Sequence, residues 1–141
     1  MATQEKTTLR IGLPSGIGDI SWAYSKLHCA PDQYQFAFDI ADGWPHRSVE
    51  FCKLLPRVVE ARYDDIQYSD ILHFQQVHGL TTFKAVAESG FGRVMIAPNL
   101  HLEQGHRLEE WLPDLVTDFH YPINTSSADV EKALDILSGR L

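Results

Sequence analysis

The chain is poor in the features that mark several protein classes. It has two cysteines in 141 residues, Cys29 and Cys52, with no C-x-x-C spacing. A disulfide framework and a thiolate zinc site are therefore not expected, and both residues read as buried free thiols of a reducing compartment. Lys and Arg number 12 against 19 Asp and Glu, a formal net charge of −7. A nucleic-acid backbone or an acidic lipid surface gains nothing from that balance, so no nucleic-acid partner is expected. No apolar run is long enough for a membrane span. The first eight residues, Met1–Thr8, are polar and have no apolar signal core. The expected location is the cytoplasm. No G-x-S-x-G elbow and no Walker lysine occur, which argues against a serine-hydrolase triad and a P-loop ATPase.

Apolar segments alternate with amphipathic ones. Leu9–Leu13 is a short apolar strand ending at Pro14. After the turn Ser15-Gly16-Ile17-Gly18, Asp19 opens a helix with Ile20, Ala23, Tyr24 and Leu27 on one face. Tyr34–Ile40 suits a strand buried on both faces. Ser48–Leu55 reads as a helix with Val49, Cys52 and Leu55 inward. Val58–Ala61, Asp70–Phe74 and Val94–Ala97 read as further strands, and Phe119–Ile123 as a sixth. Thr81 or Thr82 caps a helix carrying Phe83, Val86 and Ala87, which Gly90 closes. Helices are also expected over Leu102–Leu112, with Trp111 and Leu112 inward, and from Ser126 or Ser127 to Gly139. The order predicts one α/β domain over residues 1–141. It would be a Rossmann-like three-layer αβα sandwich with a mostly parallel sheet of five or six strands.

Ligands of such sheets collect at the carboxyl ends of the strands. That rim would gather Pro14–Asp19, Ala41–Arg47, Gln75–His78 and Pro98–His101. Gly16 and Gly18 allow a sharp turn and close approach of a ligand, and the amides of the helix start carry partial positive charge. A dinucleotide fingerprint fits this turn incompletely. Its third glycine position holds Ser21, and Asp19 stands where a pyrophosphate would lie, although Asp39 or Asp42 has the spacing of a ribose-binding acid. A nicotinamide or flavin enzyme is thus the weaker alternative. An ionised Asp at a helix N-terminus can instead accept a proton from an attacking hydroxyl, or simply cap its helix; the two roles are compatible.

Pro14-Ser15-Gly16-Ile17-Gly18-Asp19, followed by an amphipathic helix, resembles the N-terminal signature of heptosyltransferase-like glycosyltransferases (glycosyltransferase family 9). Ala41–Ser48 and Asn99–Glu103, with Arg107 and Trp111 beyond, look similar to glycosyltransferase-like proteins of bacteria and phages. The resemblance implies a GT-B enzyme whose Asp19 is the base that activates the acceptor hydroxyl. It implies no cofactor beyond a nucleotide-sugar co-substrate. The family's donor site lies mainly in a second domain, which is expected outside these 141 residues: on a longer form of the chain, on a separate chain, or nowhere if the domain stands alone. The expectation is an acceptor-binding domain for a sugar or glycolipid, inactive in transfer without a donor-binding domain or second chain. A homodimer is a further expected partnership, because an unpaired domain face normally meets a second domain. The alternative is a stand-alone module that binds a small ligand or a protein.

Other side chains carry open alternatives. Arg47 can hold an acidic acceptor or form a surface ion pair. Trp44 can stack on a sugar ring or plug the top of the sheet. Ser15, Gly16, Ile17 and Gly18 would line the acceptor groove. Asn99, His101 and Glu103 would bind hydroxyls from the loop after the fifth strand. His101 and His106 are five apart, so their rings diverge on a helix and no metal site is expected. His73 reads as a packed core residue, and His78 as a loop residue near the rim.

Overall fold

A computed structural model describes residues 6–42, 47–97 and 111–124 of the chain. β1 (Thr7–Leu13), α1 (Ile17–Leu27), β2 (Tyr34–Ala41), α2 (Ser48–Cys52), β3 (Val58–Asp64), α3 (Tyr68–His78), α4 (Phe83–Glu88) and β4 (Val94–Met95) follow in chain order. The four strands form an all-parallel sheet in the order β3-β2-β1-β4. The domain is Rossmann-like: β1, β2 and β3 step outward through α1 and α2, and α3 with α4 then returns the chain to the other side of β1.

Period-2 alternation divides the sheet into two faces. Leu9, Ile11 and Leu13 of β1 and Phe36, Phe38 and Ile40 of β2 point to the main core, where Ile20, Ala23, Tyr24 and Leu27 of α1 and Cys52 of α2 meet them. The opposite face holds a smaller apolar cluster of Ala41, Ile66, Ile71 and Ala97, with Met95 beside it. Ile71 is the one buried residue of α3. β2 is buried on both faces, as expected, but the second face is not wholly apolar: Asp39 is fully buried on it.

Asp39 is the hub of a charged layer. Its carboxylate accepts from Arg10 Nη1 at 2.5 Å, Arg62 Nε at 2.9 Å and Arg93 Nη1 at 3.0 Å. Arg10 also reaches Glu60 at 2.8 Å, and Arg93 reaches Asp64. Three cations and three anions thus share one face. Burial alone would raise the Asp39 carboxyl pKa. The hydrogen bonds from Arg62 and Arg93, with the charge of Arg10, outweigh it and hold the pKa below the usual value. Asp64 is also held low, chiefly by its bond from Arg93.

Several expected elements differ. Residues 70–74 are helical, not a strand. Gln67 and Asp70 form a reciprocal capping box at the start of α3, and Gly79, at φ 57°, ends it. A parallel connection from β3 back past β1 also needs a crossover element in this stretch. His73 is accordingly exposed on α3, not packed in the core. Residues 119–123 form no strand: Pro122 lacks an amide donor, and Phe119 and Ile123 are each 47% exposed. The described sheet therefore has four strands where five or six were expected. Helix α2 stops at Cys52, although Leu55 is still buried. Thr82 caps α4 by accepting from the Ala85 amide, and Gly90 follows it at φ 74°. Trp111 and Leu112 are buried as expected, but in a bend with Leu112 at φ 49°. The rest of the expected 102–112 helix and the helix expected from Ser126 or Ser127 lie outside the described residues.

Residues 111–124 form a strap along α1. Asp118 N donates to Ser25 O at 2.9 Å, His28 Nε2 meets Asp118 O at 2.7 Å, and Ser21 Oγ pairs with Tyr121 Oη at 2.6 Å. Lys26, 1% exposed, directs its ammonium to the carbonyls of Leu112 and Leu115 at 3.3 and 3.4 Å.

Candidate functional site

The site begins where β1 ends. Pro14 follows the strand, and Gly16 is the extended N-cap of α1 at φ −70° and ψ 132°. Ile17, Gly18 and Asp19 form the first turn, so the helix starts two residues earlier than the pattern suggests. Gly16 has no side chain with which to cap. Asp19, at the third helical position, turns back instead: a Cβ on Gly16 would lie 3.2 Å from Asp19 Oδ2. A glycine here keeps the carboxylate's approach clear. The aligned peptide dipoles of α1 favour negative charge at this end.

The turn is clasped to the next loop at the same edge. Ser48 Oγ donates to the Ser15 carbonyl, and Ser48 N donates to Tyr63 Oη at 3.1 Å. Ser48 is 2% exposed, so this clasp is internal. It brings the start of α2, with exposed Arg47 as its N-cap, beside the Ser15–Asp19 turn.

Half-buried Asp19 opens onto a surface hollow of about 250 Å³ lined by Gly16, Gly18, Asp19 and Trp22. Trp22 was not anticipated as a site residue. The signal was its spacing: three residues after Asp19, it lies on the same side of the helix one turn further along. Carboxylate and indole together can accept a hydroxyl hydrogen and stack against the C–H face of a polar ring.

The other expected site residues divide. Ser15, Gly16, Ile17, Gly18, Asp19 and Arg47 are brought to the carboxyl edge. His78 is not: it is the last residue of α3, 4.5 Å from both the Phe74 and Phe91 rings by centroids. Phe91 lines a hollow with Thr8 and Leu9, at the amino end of β1. An antiparallel run of α3 along the sheet carries Gln75–His78 to the wrong edge for the site. Trp44, Asn99, His101 and Glu103, with His106, lie outside the described residues. Asp39 cannot be the ribose-binding acid, because three arginines occupy it and none of it is exposed. Asp42 is exposed past the end of β2. Among the described residues, no three His, Cys, Asp or Glu side chains converge as a metal site. No helix among them is long and apolar enough to cross a membrane.

Fold and site together define a Rossmann-like α/β domain with a carboxylate-bearing hollow at the end of its first strand. No protein-family model, curated protein or solved structure matches the chain.

Proposed function

We propose that this chain is the acceptor-binding domain of a nucleotide-sugar-dependent glycosyltransferase of the heptosyltransferase-like, GT-B kind, with Asp19 as general base. The observation that carries the proposal is the presentation of Asp19 to the hollow formed by Gly16, Gly18 and Trp22. The resemblance of Pro14–Asp19 to the family signature supports it. The acceptor ring stacks on Trp22 and offers one hydroxyl to Asp19. As that oxygen attacks the anomeric carbon, its proton passes to the carboxylate and the nucleoside diphosphate leaves from the opposite side, with inversion. Arg47, at the same edge, suits an acidic group on the acceptor. A donor-binding domain or second chain holds the nucleotide sugar, so this chain alone transfers nothing.

The test pairs binding with turnover. Titrating phosphorylated and neutral sugars against the chain should shift the Trp22 indole N–H resonance. Trp22→Ala should weaken that binding about tenfold, a loss of about 1.4 kcal/mol of stacking. Asp19→Asn should leave binding within about threefold, yet lower turnover roughly 100- to 10,000-fold once a donor half is supplied. Unaltered turnover in Asp19→Asn would remove the base. Binding without turnover, with any donor half, would favour the stand-alone binding module. Stabilisation by a nicotinamide or flavin dinucleotide instead of a sugar would replace both readings.

A further inference from the structure

Strand β3 is the edge of the described sheet; its register to β2 shifts at Val59, and from Glu60 to Asp64 the pairing is regular. Its seven residues, Val58–Asp64, include no proline and no lysine. Val59 is 55% exposed, and the side chains of Glu60 and Arg62 are 50% and 53% exposed.

The backbone orientation follows from the register. Phe36 N donates to Arg57 O, so Phe36 turns its groups towards β3. Phe38, two residues on, does the same, and its register partner Ala61 therefore points its N–H and C=O away from β2, to the outer edge of the described sheet. A two-fold axis through Ala61 would set Glu60, Ala61 and Arg62, inside the regular stretch that follows the shift at Val59, against a second copy.

We propose that this edge is a self-association surface, on which β3 pairs antiparallel with β3 of a second copy about Ala61 and joins the two described sheets into one of eight strands. Ala61 and its counterpart exchange both backbone hydrogen bonds. The flanking non-hydrogen-bonded positions, where side chains approach most closely, then match Glu60 with the partner's Arg62 and Arg62 with the partner's Glu60. The strand is thus complementary in charge to its own reverse. Arg62 holds Asp39 by Nε and Glu60 holds Arg10 by Oε2, so pairing across the axis would engage the Arg62 Nη groups and Glu60 Oε1. The charged layer of each copy becomes continuous with that of the other.

Sedimentation velocity on the full chain tests this. The wild-type chain should sediment as a dimer. Glu60→Arg places like charges opposite each other twice and should weaken association about tenfold or more. Ala61→Pro removes the central amide while sparing the ladder to β2, because that amide faces outward; it should give a monomer with unchanged circular dichroism. The double exchange Glu60→Arg with Arg62→Glu should regain the dimer. If that double variant loses its circular dichroism signal, Ala61→Pro decides. A monomeric wild type, or a dimer that Ala61→Pro and Glu60→Arg leave unchanged, overturns the proposal. So does a folded double variant that stays monomeric.

Discussion

The two faces of the sheet are made by alternate residues of the same strands, yet they are held by different physics. One face buries Ile11, Leu13, Phe36, Phe38 and Ile40 under α1 and α2. The other joins Arg10, Asp39, Arg62 and Arg93 in one layer of charge. The apolar face draws its stability from area removed from water and from close packing, and neither term depends on pH. The charged face depends on its carboxylates, Asp39 first among them, staying ionised. The folding of strands is thus specified mainly from one side, while the other side adds a condition on protonation.

Breaking the apolar face should have the largest effect. Phe38→Ala opens a cavity in the main core and should cost about 3–5 kcal/mol, equally at pH 5 and pH 7, in urea unfolding. Breaking the charged face should cost less, because the arginines that Asp39 holds are 28% to 53% exposed and can turn to water. Asp39→Ala should cost about 2 kcal/mol at pH 7.

Acid sharpens the contrast. A carboxyl whose pKa is lower in the folded state stabilises the fold above its unfolded pKa, and that contribution is lost as pH falls through the folded value. Asp39 and Asp64 are both lowered. Wild-type stability should therefore fall as the pH drops below about 4, the unfolded Asp value. In Asp39→Ala the fall should be shallower; parallel curves for the two proteins would remove Asp39 from the acid response. The smallest effect belongs to the solvent-exposed pair Lys53–Glu50, with side chains 63% and 70% exposed. Lys53→Ala should change unfolding free energy by no more than about 0.5 kcal/mol, at any pH.

The alternation of β1, α1 and β2 was legible because each is a run of one period bounded by Pro, Gly or Asp. Residues 70–74 were not. Ile71-Leu72-His73-Phe74 is too short an apolar run for period to decide, and the deciding features were the Gln67–Asp70 box and Gly79. The charged layer was missed because its bonded members lie 23 to 54 residues apart and meet only through strand register. At the site, the Gly16–Asp19 turn was legible and its place at the end of β1 followed from topology. Trp22 went unnoticed because its spacing from Asp19 was not followed one turn along the helix. His78 was misplaced because a residue taken as the end of a strand belongs to a helix that runs the other way.

The strap over α1 makes the order of synthesis matter. Lys26 lies in the helix that presents Asp19, but the carbonyls that receive its ammonium come 86 and 89 residues later. A ribosome that has released only the strands and helices up to residue 97 leaves that cation without those acceptors. The helix should then seat fully only when residues 112–115 emerge. Protease protection of α1 in arrested nascent chains, appearing at that length and not before, is the expected sign; early protection would make the late segment a cover and not a keystone.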